Sequence, residues 1–165
     1  MAEPPKKIKV IFLDCDGVVS PLGGHAGIFE KTRMALLKKL LQNTGAVIVL
    51  SSSWRTSDWG RAEVNKNLVL NAMPHFIGCT PDHQWGMRTN EIMTWIRDHQ
   101  AEWHVENFVA IDDINLPSVA GQHTDLFLKH AIVTNGVQGL TEQDITDATR
   151  MLGDANNIPA DELYG

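Results

Sequence analysis

Four carboxylates and a serine cluster sit where three apolar runs end. The run at 10–13, "VIFL", passes directly into Asp14 and Asp16, with Cys15 between them and Gly17 after. The run "AVIVL" ends in Ser51, Ser52 and Ser53, and "FVAI" ends in Asp112 and Asp113. Carboxylates act as nucleophiles, as general acids and bases, and as ligands for hard cations. Four of them gathered in one place would repel one another and lose hydration, so the gathering implies a bound cation. An all-oxygen ligand set points to Mg²⁺, and the scattered cysteines and histidines offer no thiolate or imidazole cage. A lone D-x-D is equally a turn or a helix cap. The matching acids and serine at the other run ends weigh against that reading.

These residues converge only if the elements carrying them lie side by side. The segments "KVIFLD", "AVIVLS", "FVAID" and "AIVT" are short, rich in Val and Ile and continuously apolar, the signature of parallel strands covered on both faces. Helical stripes lie between them: Met34, Leu37, Leu40 and Leu41 before a terminating Gly45, then Val64, Leu68 and Ala72, then Ile92, Trp95 and Ile96. "TEQD" at 141–144 reads as a helix-start box ending in an acid. Alternating strands and helices give an α/β fold, a doubly wound, mostly parallel sheet with helices on both faces. In such sheets ligands bind beyond the carboxyl ends of the strands, where the aspartates and serines emerge. Segments 73–88 and 114–128 read as irregular, and long irregular segments are often functional.

A chain of 165 residues fits one domain, 1–165, with a core at about 8–153 and loosely held ends at 1–7 and 154–165. Its 43% hydrophobic and 21% charged residues are those of a soluble globular protein, and no apolar run approaches the ~20 residues that span a bilayer. The start lacks a secretory signal and two cysteines make no disulfide framework, so a cytoplasmic location and no membrane partner are expected. A net charge of −6 gives no global attraction for nucleic acid and permits cation binding.

The "DCDGVV" segment resembles the first motif of the haloacid dehalogenase (HAD) superfamily, Ser51 the second, and "FVAIDD" the fourth. The third motif is normally a lysine, and here Arg88 in "GMRTNEIMTWIRDH" is the cation in its place. "LSSSWR" with "RTNEIMTW" also resembles the small HAD domains of Swiss Army knife RNA-repair proteins, and the likeness spans roughly residues 8–135. The resemblance implies a HAD-like Rossmannoid fold with no large cap domain, because only the short flap "GVVSPLGGHAGIF" separates Asp16 from the next helix. It implies a Mg²⁺-dependent phosphatase acting through an aspartyl-phosphate. Asp14 would be the nucleophile and Asp16 the acid and base. Asp14, the Asp16 carbonyl, Asp112 and Asp113 would hold the metal, while Ser51, Arg88 and the backbone at Gly17 would hold the phosphate. An uncapped site suits a phosphoprotein or a nucleic-acid end, with small phosphomonoesters hydrolysed weakly.

Two other classes compete: a receiver-like phospho-acceptor domain, which wants paired acids at the first strand and an acceptor at the third, and a catalytically idle HAD-fold interaction module. The spaced acids oppose the first and the intact Asp14 and Asp16 the second. Ser52 and Ser53 read as turn or cap residues, Lys66 as exposed, and most of the five tryptophans as core. Trp85, in a loop near Arg88, is the one tryptophan read as a substrate contact. Cys79 and His83 are spaced like half a zinc site with no second half, and Cys15 between two carboxylates reads as a packing residue with a suppressed thiolate.

Overall fold

The structure is a computed structural model that describes residues 3–24, 27–83 and 86–165. The apolar runs form strands β1 (Lys6–Leu13), β2 (Val47–Leu50), β4 (Trp103–Asp112) and β5 (Ala131–Val133), joined by a two-residue β3 (Gly78–Cys79). They make one parallel sheet in the order β3-β2-β1-β4-β5. Order reverses at β1, so the crevice beyond β1 and β4 is the switch point of the sheet. Leu13 pairs with both Leu50 and Ile111. The ladder then continues one step past the strands, with the Asp14 amide donating to the Ile111 carbonyl at 3.0 Å and the Ser51 amide to the Leu13 carbonyl at 2.8 Å. That register brings positions 14, 51 and 112 to one level.

Alternate strand residues feed two cores, as expected for a sheet covered on both faces. Ile11, Leu13, Ile48, Leu50, Val109 and Ile111 pack beneath α1 (Lys31–Thr44), α2 (Asp58–Leu70) and α6 (Glu142–Met151). Val10, Phe12, Val49, Phe108 and Ala110 pack beneath α3 (Arg88–Asp98), α4 (Leu116–Val119), α5 (Thr124–His130) and α7 (Ala160–Tyr164). The helix stripes explain this placement: Met34, Leu37 and Leu40 of α1, Val64 and Leu68 of α2, and Ile92, Trp95 and Ile96 of α3 are all buried. Gly45 ends α1 in the left-handed conformation at φ 68°, and Thr141 with Asp144 forms a reciprocal capping box on α6. Among the described residues, 14–30 carry no helix or strand, and no large cap covers the strand ends.

Three expectations are corrected. Segment 114–128 is helical, built from α4, a 3₁₀ turn and α5, elements too short to show a period in sequence. The tail expected to be loose is docked: Ile158 and Leu163 are buried in the second core. Its anchor is a bulge in β4, where pairing with β1 skips Glu106; the Ile158 amide donates to the Glu106 carbonyl at 2.8 Å and the Val105 amide to the Tyr164 hydroxyl at 3.0 Å. Ala72, assigned to the α2 stripe, is exposed beyond the helix end, and Met73 is buried instead.

The helix closes there in a Schellman turn, with the Met73 amide bonded to the Leu68 carbonyl and the Ala72 amide to the Val69 carbonyl. Ala72 therefore sits at φ 58°, where a side chain is strained and glycine is not. Ala72→Gly is expected to stabilise the fold by about 0.5–1 kcal/mol, read from urea or thermal denaturation. An unchanged or lower stability would contradict the strain.

Candidate active site

Asp14, Asp112 and Asp113 offer carboxylate oxygens that all lie within 4.8 Å of one another. Asp14 and Asp112 are almost fully buried and Asp113 half-buried. Among the described residues one cation answers them: Arg88, the first residue of α3, places Nη1 2.8 Å from Asp112 Oδ2 and 3.2 Å from Asp14 Oδ1. With all three ionised, the carboxylates against one guanidinium would leave two negative charges uncompensated at low dielectric, a cost that favours a proton or a cation there. A divalent, oxygen-seeking cation fits that deficit. Among the described residues no other group of three or more metal-type side chains is assembled, and Cys79 and His83 join none.

The electrostatics carry the same signature. Burial, then the neighbouring Asp112, push the Asp14 carboxyl up from 3.8 to about 8, with Arg88 opposing and Asp113 adding to the rise. Burial also raises Asp112, although Arg88 and the Ile114 amide, which donates to Asp112 Oδ1 at 3.0 Å, pull it down. For Arg88 burial acts downward, but Asp112 and Asp14 outweigh it and the net direction is up, so it stays charged. Burial and Asp14 raise the Cys15 thiol well above its ordinary value, in line with a packing role.

Asp16 stands apart from the trio, and the expectation of four clustered carboxylates is corrected to three. Its side chain turns toward the loop after β2, where Trp54 Nε1 donates to both carboxylate oxygens at 3.2 Å. Gly17 follows at φ 81°, a conformation glycine adopts without penalty, and a Cβ there would collide with the Asp113 carboxylate. Its carbonyl accepts from Thr134 Oγ1 at 2.8 Å, and the Thr134 amide donates to the Asp112 carbonyl at 2.9 Å, so the end of β5 ties the two acidic strand ends together.

Ser51 is buried at the end of β2 and accepts from Thr80 Oγ1 at 3.3 Å. Ser52 is buried and caps the following 3₁₀ turn by accepting from the Trp54 amide at 3.2 Å, while Ser53 is exposed. Arg55 and Glu91 form a buried ion pair at 3.1 Å. The Arg55 guanidinium also donates to the carbonyls of Ser52 at 2.6 Å, Thr80 at 3.0 Å and Pro81 at 3.3 Å, and Glu91 accepts from the His83 amide at 2.9 Å. The pair pins the β2 loop, the 80–83 segment and the first turn of α3 to one another, and so fixes where Arg88 starts. Lys66 is exposed and Trp95 is core, as expected. The core reading fails for Trp59, which is exposed, and Trp54 and Trp103 are only partly buried. Trp54 is a site residue instead; only its nearness to Ser51 signalled it. Trp85 lies outside the described residues.

This arrangement of D-x-D, strand-end serine, helix-start cation and acidic pair has a counterpart among known proteins. A family model described as the HAD domain in Swiss Army Knife RNA repair proteins matches residues 10–145. The chain belongs to this HAD family. Comparison with curated proteins and with solved structures gives no match. The family match runs from β1 into α6 and so contains every site residue named above. A HAD domain suggests a phosphatase-type hydrolase at the level of the superfamily, and its acidic trio has the ligand chemistry for a metal. Among the described residues no helix is long and apolar enough to cross a membrane.

The raised Asp14 carboxyl links stability to pH. In the metal-free HAD domain the folded state holds a proton that the unfolded chain, near 3.8, releases, so this group's contribution is full below about 4 and is lost as pH rises through about 8. Metal-free protein is expected to lose stability across that window. Asp14→Asn should flatten the loss and gain roughly 1–3 kcal/mol at the alkaline end. Chemical denaturation in chelator at several pH values checks both, and a wild-type stability flat across the window would contradict the carboxylate crowding.

Proposed function

We propose that this HAD domain is a Mg²⁺-dependent phosphohydrolase that cleaves phosphomonoesters through an aspartyl-phosphate on Asp14. The observation that carries the reading is the division of the acids at the end of β1: Asp14 belongs to a largely buried trio of carboxylates, while Asp16 is held outside it. A nucleophile needs the first environment and a proton carrier the second. The donor set fits Mg²⁺: the carboxylates of Asp14, Asp112 and Asp113 and the main-chain carbonyl of Asp16 would hold it. Once bound, the ion offsets the negative charge of the trio and of the phosphate.

In the first half-reaction an Asp14 oxygen attacks phosphorus in line and the bond to the leaving oxygen breaks, while Asp16 delivers a proton to that oxygen. In the second half Asp16 takes a proton from water, the water oxygen attacks phosphorus, and the bond to Asp14 breaks to release inorganic phosphate. Both residues return to their starting states. Ser51 and the backbone at Gly17 hold phosphate oxygens. Among the described residues Arg88 hydrogen-bonds the acids through Nη1, and its guanidinium fork could hold phosphate oxygens with its other N–H groups. An open pocket of about 310 Å³ lies beside it, lined by Ser53, Arg55, Met87, Arg88 and Ile114 among others. With no large cap to enclose a small molecule, the favoured substrate is a phosphate on a macromolecule. The family description favours a nucleic-acid end over a phosphoprotein.

Asp14→Asn is expected to abolish Mg²⁺-dependent hydrolysis of an aryl phosphate and of 5′- or 3′-phosphorylated oligonucleotides, and EDTA to abolish it in the wild type. Undiminished turnover in the variant would remove Asp14 from the role. Arg88→Ala should raise KM and lower kcat together for a combined loss of roughly 2–4 kcal/mol, with Arg88→Lys recovering part. Steady-state kinetics of the three proteins decide it, and an alanine variant equal to wild type would move the phosphate clamp elsewhere.

A further inference from the structure

We propose that Trp54 is a positioning residue: its indole N–H holds the Asp16 carboxyl out of the metal cluster and keeps it available as the proton carrier. The proposal rests on the phosphohydrolase reading above. Asp16 lies two residues from Asp14 on the same strand end, close to a centre that draws carboxylates to a divalent cation. A fourth carboxylate bound there would cease to deliver or accept protons. Some feature must therefore hold Asp16 back, and among the described residues the indole is the side chain bonded to it. Trp54 Nε1 reaches Asp16 Oδ1 and Oδ2 at 3.2 Å each, so one donor spans both oxygens and orients the carboxyl group. Indole is a donor only, and cannot compete with Asp16 for a cation or a proton.

The donor is itself fixed from several sides. Ser52 caps the Trp54 amide, Phe29 meets the ring edge-on at a centroid distance of 5.2 Å, and Trp59 stacks on it at 5.7 Å with the planes 22° apart. Gly60 lies against the Trp54 carbonyl so closely that a Cβ would collide with it. Trp59 is itself 67% exposed, an arrangement that gains little from burial and serves the ring beneath it. The link across the sheet follows from register: β1 and β2 are neighbours with Leu13 opposite Leu50, so the loop three residues past Ser51 crosses the end of β1 where Asp16 turns out.

Trp54→Phe keeps a stacked ring and deletes the N–H. Two readouts separate positioning from general support of the fold. The first is leaving-group dependence. An alkyl phosphate needs a proton on its leaving oxygen, whereas p-nitrophenolate leaves without one. The variant is expected to lose roughly tenfold or more in kcat on alkyl phosphates. With p-nitrophenyl phosphate, phosphoenzyme should form at near the wild-type rate, giving a burst of nitrophenolate before slow turnover, because water activation also needs Asp16. In an Asp16→Asn background the same substitution should change nothing further. The second readout is Mn²⁺ binding by calorimetry, which requires no activity: Trp54→Phe frees Asp16 to join the ion and should tighten binding severalfold, and Asp16→Asn should cancel the gain. Equal losses on every substrate with additive effects in the double variant and unchanged Mn²⁺ affinity would overturn the proposal. If the wild type hydrolysed no phosphate while the Mn²⁺ result held, the phosphohydrolase reading would fail and the holding of Asp16 would stand.

Discussion

The constraint on which this structure depends is the crowding of three carboxylates into a buried space answered by one guanidinium. Left in water the aspartates would stay apart. They are driven together because the residues before them, 10–13 and 108–111, are apolar on both faces and must pair as neighbouring strands to bury those faces. Burial of the strands thus drives an arrangement that electrostatics alone opposes, and the opposition appears as the upward shift of Asp14 and Asp112. Such crowding gives the site the ligand chemistry for a cation.

Arg88 relieves the crowding only in part, and its position depends on a second buried ionic system. Arg55 and Glu91 are costly to desolvate, yet the Arg55 guanidinium is bonded to three carbonyls besides its partner, and Glu91 accepts from the His83 amide as well. A buried pair with its hydrogen bonds satisfied specifies geometry more than it adds stability, and losing one partner is severe, about 3–5 kcal/mol. Here the geometry specified is the approach of the β2 loop to the first turn of α3. The two pieces carry Ser51 and Arg88. These two side chains on opposite sides of the crevice are therefore tied through one ion pair rather than through either strand.

Asp14 and Asp16 share a strand end and differ in surroundings. One is enclosed among acids and an arginine; the other faces an indole and the open flap. Two carboxyl groups in contrasting settings can take contrasting roles, and the contrast comes from β2 on one side and β4 on the other. Position in the sheet order converts a local D-x-D into a differentiated pair.

Much of this was legible in the chain itself. Continuous Val- and Ile-rich runs ending in acids and serines imply parallel strands with a polar rim, since a run apolar at every position needs cover on both faces, and the motif order then places Asp14, Ser51, Arg88, Asp112 and Asp113 at that rim. The capping box at Thr141 and the stop at Gly45 are local chemistry and were equally visible. What only the tertiary structure decided depends on contacts distant in sequence. Trp54 meets Asp16 across 38 residues, Arg55 meets Glu91 across 36, and the tail docks on a β4 bulge that no periodicity announces. Ala72 looked helical because its spacing fits the stripe, whereas the chain closes α2 in a turn that usually takes glycine. Local spacing determines which faces are apolar and which residue types lie at the ends. Which polar side chain turns toward which partner is fixed only when the strands lock into register, because that choice is made by neighbours across the sheet.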